Sequence, residues 1–141
     1  MITIKSPQDI ESMRVAGRLA AEVLQVVAPY VKPGVTTAEL DRVCHDHIVE
    51  VQKAIPANVG YKGFPATICT SVNNVICHGI PSEAKVLKEG DIVNIDVTVI
   101  KDGWHGDTSR MFIVGEGSIA AKRLCQFTYD AMWRGIAKVK P

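Results

Sequence analysis

The sequence predicts an α+β domain, with helices packed on an antiparallel sheet. Three observations carry that reading. Apolar residues recur at spacings of three and four over residues 10–27 and again over 40–51, marking two amphipathic helices. Two runs rich in β-branched residues between Asp91 and Val114 flank Asp102-Gly103, a strong hairpin signal. A third stretch of helical periodicity starts near Ser118.

Taken in order, residues 2–5 are a short extended lead. Ser6 reads as an N-cap and Pro7 as the first helical residue, with Asp9 where a carboxylate favours the first turn. Ile10, Met13, Gly17, Ala20, Leu24 and Val27 form one face of the long helix that follows. Gly17 and Ala20 are small, which predicts close packing there. Pro29 ends the helix and Lys32-Pro33-Gly34 turns the chain. Thr36-Thr37-Ala38-Glu39 fits a capping box. Leu40, Val43, Cys44, His47, Ile48 and Val51 then predict a second helix to about Lys53. His45 and His47 face different sides of it, so they do not form a metal pair; surface or packing roles are expected.

Residues 54–66 (AIPANVGYKGFPA) form a Gly- and Pro-rich loop carrying Tyr61 and Phe64, suited either to line a pocket or simply to pack. Thr67–Ser71 reads as a short strand, Val72-Asn73-Asn74 as a turn, and Val75–Cys77 as a returning strand. His78 at that strand end, beside Gly79, is a candidate catalytic position. Residues 82–89 form a polar connection into the hairpin. After Gly115-Glu116-Gly117, Ala121, Leu124, Cys125, Thr128, Met132 and Ile136 trace the buried side predicted for the last helix.

The hairpin DIVNIDVTVIKDGWHGDTSRMFIV organises the rest. With Asp102-Gly103 as a two-residue loop, Lys101 faces Trp104, Ile100 faces His105, Thr98 faces Asp107 and Asp96 faces Ser109. A longer loop or a bulge would shift this register. Side chains alternate along a strand, so Asn94, Asp96 and Thr98 share a face with His105, Asp107 and Ser109. Val93, Ile95, Val97 and Val99 point into a core. Asp96 and Asp107 become diagonal neighbours within ~8 Å. Two carboxylates so placed repel each other, and desolvation costs several kcal/mol per ion. Arg110 lies on the opposite face, and the hydroxyls of Thr98 and Ser109 carry no charge. A divalent cation resolves the repulsion. A solvated sheet edge does so as well, and spacing alone leaves both open.

The chain has 141 residues, 47% apolar and 22% charged, enough for one modest domain with a real core. A net charge of +1 with no long charged run argues against nucleic-acid binding through a basic patch. No transmembrane span and no secretory signal are expected. Cys44, Cys69, Cys77 and Cys125 lack zinc-finger spacing and read as free thiols in a reducing cytosol. The chain's end, Val139-Lys140-Pro141, echoes Val31-Lys32-Pro33 after the first helix. The echo suggests a second helix-helix-hairpin unit that stops after its first helix.

Five strings together resemble the type I, bacterial methionine aminopeptidases: MRVAGRLAAEVL, VKPGVTT followed by ELD, NNVICHGIPSEAK, GDIVNIDVTVIKDGWHGDTSRMF and the terminal VKP. The resemblance covers essentially the whole chain. Its most specific part is the HGIP segment with two Asp eleven residues apart. It implies a pita-bread (creatinase/aminopeptidase-like) fold, two similar halves each packing helices on antiparallel strands. Residues 1–141 would form a single domain, the N-terminal half, truncated after the first helix of the second half.

The resemblance also implies a site. Two divalent metal ions (Co, Mn, Fe or Zn) form the family centre, with Asp96 on one metal and Asp107 bridging both. His78 matches the histidine that hydrogen-bonds substrate near the scissile amide. Tyr61, Phe64 and Cys69 match the pocket for the methionine side chain. The carbonyls of Asn73 and Val75 match a monovalent-cation site of some members. Two departures stand out: family members often have Cys where this chain has Asn58, and Tyr where it has Phe64. The remaining metal ligands, one His and two Glu, and a second catalytic His belong to the family's second half and are absent here. Divalent oxygen sites want about six ligands, so two carboxylates alone predict a weak, wet site.

The implied function is removal of the N-terminal methionine from peptides and nascent proteins in the cytoplasm, without nucleic-acid or membrane partners. The alternative is a non-catalytic half-domain that binds peptides or self-assembles. In that case two copies could pair as a homodimer through the seam left by the missing half, where apolar helix faces and sheet edges would be bare.

Overall fold

The computed structural model describes residues 2–140. Pro141, the last residue of the repeated Val-Lys-Pro, lies outside them. Helix α1 spans Pro7–Val27, with Ser6 as its N-cap. The Ser6 hydroxyl accepts the Asp9 N–H while the Asp9 carboxylate accepts the Ser6 N–H, a reciprocal pair that starts the helix. A short 3₁₀ turn, Ala28–Tyr30, ends it at Pro29. Helix α2 spans Thr37–Asp46 behind a second capping box, Thr36 with Glu39. It runs into a π turn, His47–Val51, so the predicted helix continues but widens.

Four antiparallel strands follow: β1 (Ile55–Pro56), β2 (Ile68–Val72), β3 (Ile92–Lys101) and β4 (Trp104–Ile113). β3 is the axis of the sheet. β4 pairs with it along its full length, while β1 and β2 share its other edge end to end. Helix α3 (Ile119–Ile136) starts from Ser118, whose hydroxyl caps the Ala121 N–H. Among the described residues no helix is long and apolar enough to cross a membrane.

The hairpin register is the predicted one: Lys101–Trp104, Ile100–His105, Thr98–Asp107 and Asp96–Ser109 are partners. Asp102 and Gly103 both take positive φ, 51° and 82°, as a two-residue turn between twisted strands requires. Val93, Ile95, Val97 and Val99 are fully buried. They meet Ala20, Val23, Leu24 and Val27 of α1 and Leu40, Cys44 and Ile48 of α2. The core therefore lies on one face of the sheet, and the face bearing Asp96 is left for other uses.

Three expectations need correction. The buried face of α1 is Ala16, Ala20, Val23, Leu24 and Val27; Ile10 and Met13 lie largely outside it because the helix crosses the sheet with its later turns. Close packing does occur at the predicted turn, but through main chain. A Cβ on Gly106 of β4 would overlap the Ala16 carbonyl, whereas a Cβ on Gly17 would meet nothing. Second, Val75–Cys77 is not a strand. The chain does return along β2, with Thr70 N–H donating to the Gly79 carbonyl at 2.8 Å. A ladder cannot grow from there, because His78 has φ of 55° and Pro81 has no N–H. Third, α3 has no buried residue, and Leu124, Met132 and Ile136 stay about half exposed. Its predicted face leans over β4 across an open cleft that no other described residue fills.

Candidate metal centre

Asp96 and Asp107 stand on the uncovered face of the hairpin, one diagonal step apart. They line the same cavity of about 580 Å³. Burial is the main reason the Asp96 carboxyl sits above its ordinary pKa; the Asp107 charge adds to this and His78 opposes it. Among the described residues, neither carboxylate has an ion-pair partner. Arg110 lies on the other face, with its guanidinium 5.2 Å from the Phe112 ring centroid. A pair of like charges, Asp96 partly buried and Asp107 exposed, without a neutralising base is a donor set suited to a divalent cation. Among the described residues, no cluster of three or more His, Cys, Asp or Glu side chains completes such a site. The pair fits a metal as two carboxylate donors, with further donors required.

His78 enters the cavity from a loop rather than a strand end. Its left-handed backbone is held by its neighbour: Gly79 donates to Ser71 Oγ at 3.2 Å and accepts from Thr70 N–H. A Cβ on Gly79 would overlap the Thr70 carbonyl, so the loop lies flat on β2 only with glycine there.

Tyr61 and Phe64 form the far wall, on a loop tightened by a 3₁₀ turn, Tyr61–Gly63, and a Gly60 N–H bond to the Phe64 carbonyl at 2.8 Å. Cys69 closes the floor from β2, its thiol pushed up to about 11 first by burial and then by Asp96. The structure thus brings together His78, Asp96, Asp107, Tyr61, Phe64 and Cys69. Asn73 and Val75 lie apart from the cavity, on the exposed turn after β2. There the Asn73 side chain bonds Asp91 and the Ile92 N–H.

Lys62, Ile80 and Thr98 also line the cavity; of these the sequence places only Thr98 on the Asp96 face, and it assigns none of them a site role. Thr98 was within reach of register reasoning, since it shares the Asp96 face and pairs with Asp107. Lys62 and Ile80 join only through loop folding. His45 and His47 lie away from the Asp96 and Asp107 carboxylates and make polar contacts: His45 Nδ1 lies 2.9 Å from Thr67 Oγ1, and His47 Nε2 lies 3.1 Å from Glu22. All four cysteines are free thiols.

A helix-backed antiparallel sheet thus carries a carboxylate pair on its open face, two donors that a metal-dependent enzyme could use. The profile of metallopeptidase family M24 matches residues 11–141, and the chain belongs to that family. Family membership implies use of divalent metal. The chain is 62% identical over 140 residues to the methionine aminopeptidase of Escherichia coli K12, covering 99% of this chain and 53% of that one. The crystal structure of methionine aminopeptidase from Rickettsia prowazekii superposes with a TM-score of 0.94 at 59% identity, over 96% of this chain and 54% of that one. The enzyme from Thermotoga maritima gives 0.94 at 37% identity, over 100% and 56%. The fold is that of the pita-bread aminopeptidases. This chain spans about half the length of the relatives it matches.

Proposed function

We propose that the chain supplies the N-terminal half of a cytoplasmic, metal-dependent methionyl aminopeptidase that removes the first methionine from nascent proteins. The observation that carries this is the meeting of two unneutralised carboxylates, Asp96 and Asp107, with an aromatic-walled cavity. Asp96 and Asp107 would hold the divalent ions. Bound there, Co, Mn, Fe or Zn supplies Lewis acidity at the scissile carbonyl and lowers the pKa of water. His78 orients the scissile amide by hydrogen bonding. Tyr61, Phe64 and Cys69 receive the methionine side chain, an unbranched chain that suits a narrow apolar slot. The carbonyls of Asn73 and Val75 take no hydrogen bond among the described residues, which leaves them free for a monovalent cation. In this reading α3 opens the second half of the pita-bread domain.

The test combines Mn²⁺ binding with hydrolysis of Met-Ala-Ser. The expected result is Mn²⁺ binding that falls in both Asp96→Ala and Asp107→Ala, with any Met release falling in parallel. Binding and release that ignore both substitutions would remove the aminopeptidase reading.

The bare face of α3 supports a second reading, pairing of two copies through that face. Leu124, Met132 and Trp133 expose about half their surface. Sedimentation as a monomer across micromolar concentrations would rule pairing out.

A further inference from the structure

Outside the carboxylate pair, three polar side chains converge on one buried residue. Thr67 is 1% exposed and stands where the aromatic loop enters β2. Its N–H donates to Asp41 Oδ1 at 2.9 Å. Its carbonyl accepts from Asn58 Nδ2 at 3.1 Å. Its hydroxyl lies 2.9 Å from His45 Nδ1. The same Asp41 oxygen accepts the Ile68 N–H at 2.9 Å. Each polar group of Thr67 is therefore met by a side chain, two from α2 and one from the loop, rather than by the sheet ladder.

The geometry has a consequence for the cavity. Asn58 and Thr67 are the two ends of the loop that carries Tyr61 and Phe64, and their bond ties the loop shut. Asp41 and His45 fasten that knot to α2. Two residues beyond Thr67, Cys69 forms the cavity floor, and Asn58 itself lines the wall. The aromatic wall and the floor thus share one anchor.

We propose that Asp41, His45 and Asn58 are positioning residues whose clamp on Thr67 sets the width of the slot between the aromatic loop and Cys69, and so its preference for an unbranched side chain. The inference rests on the reading of this cavity as the methionine pocket. Loosening the clamp lowers the fraction of chains with the wall in place, and affinity falls with that fraction.

The probes are L-methionine amide and L-leucine amide, titrated against the 141-residue chain by NMR of the Tyr61 and Phe64 rings, with amide hydrogen exchange read in parallel. Asn58→Ala, which loses one hydrogen bond, is expected to weaken methionine amide by roughly three- to tenfold, and Asp41→Ala, which loses two, by at least as much. They should also flatten its preference over leucine amide. Asp41→Asn keeps an acceptor oxygen and is expected to stay within about twofold of the parent. Should Asn58→Ala unfold, Asn58→Leu keeps a similar volume and removes the same donor without adding charge.

Unchanged affinity and preference in Asn58→Ala and Asp41→Ala, even with faster exchange at Thr67 and Ile68, would overturn the proposal. If the parent binds neither amide, the pocket reading fails by itself, and exchange decides the clamp. Faster exchange at Gly60 and Phe64 in Asn58→Ala, with Leu87 and Val114 unmoved, supports a loop anchor. No change there overturns it.

Discussion

Gly106 lies directly against the carbonyl of Ala16, with no side chain between strand β4 and helix α1. The contact sits one residue before Asp107, so the depth of the helix sets the position of a candidate metal ligand. Gly106→Ala inserts a methyl group where backbone already stands, and neither element can yield alone. The variant is expected to lose about 1–3 kcal/mol in urea unfolding, the usual cost of overpacking. It should also weaken Mn²⁺ binding, because Asp107 moves with the strand.

Gly79 makes a comparable approach to Thr70, and its effect falls on His78. Gly79→Ala is expected to lift the loop from β2 and break the bond to Ser71 Oγ. The His78 ring resonances should shift while the hairpin amides from Val93 to Val99 keep their exchange protection. Loss of protection throughout the sheet would mean that Gly79 supports the fold rather than the histidine.

Thiol reactivity separates the cysteines. Burial pushes the Cys44 thiol up to about 12 and Cys69 up to about 11. Only thiolate reacts quickly, and both groups stay protonated at pH 8. Cys77 is exposed and Cys125 partly so. Titration of the folded chain with an aromatic disulfide reagent should label Cys77 first and Cys125 next. Cys44 and Cys69 should react only on unfolding.

Asp41 predicts a pH dependence whose sign follows from burial. Burial raises its carboxyl above the ordinary value, outweighing the Ile68 and Thr67 N–H bonds that favour the anion. A raised carboxylate pKa means that the folded state holds the proton more tightly than the unfolded chain. Its contribution to stability is full below the unfolded pKa near 3.8 and is lost as pH rises through the folded pKa. Asp41→Asn should then be at least as stable as the parent at neutral pH, and the gap should close in acid. Urea midpoints across that window measure it; a gap that widens on acidification would refute the assignment.

Asp96 gives a metal-dependent counterpart. Without metal, Asp96→Asn removes a partly buried charge that faces the Asp107 carboxylate and should raise the urea midpoint. Added Mn²⁺ stabilises only the state that binds it, so it should narrow or reverse the difference. An Asp96→Asn chain less stable than the parent without metal would show that the carboxylates do not repel as the geometry requires.

The parts of this protein legible from sequence are those governed by neighbours in the chain. The Asp102-Gly103 turn, read as a two-residue loop, gives the strand register that the fold adopts, and with it the shared face of Asp96 and Asp107. Both capping boxes are local exchanges across three residues. Periodicity locates α1, but packing of its later turns on the sheet buries Ala16 and Val23 rather than Ile10 and Met13. The apolar stripe of α3 was equally visible, yet a stripe records a preference for cover and not the presence of it.

Local pattern therefore specifies a hairpin with two carboxylates on one side and helices ready to cover the other. That loop 54–66 and His78 reach those carboxylates was implied by the family resemblance and not by local pattern, whereas the grip on Thr67 from three directions and the close approaches of Gly106 and Gly79 emerge from the packed fold alone. The difference is one of range. Turn and cap geometry depends on bonds between residues a few positions apart, whereas a cavity is bounded by segments that meet only when the whole core has packed.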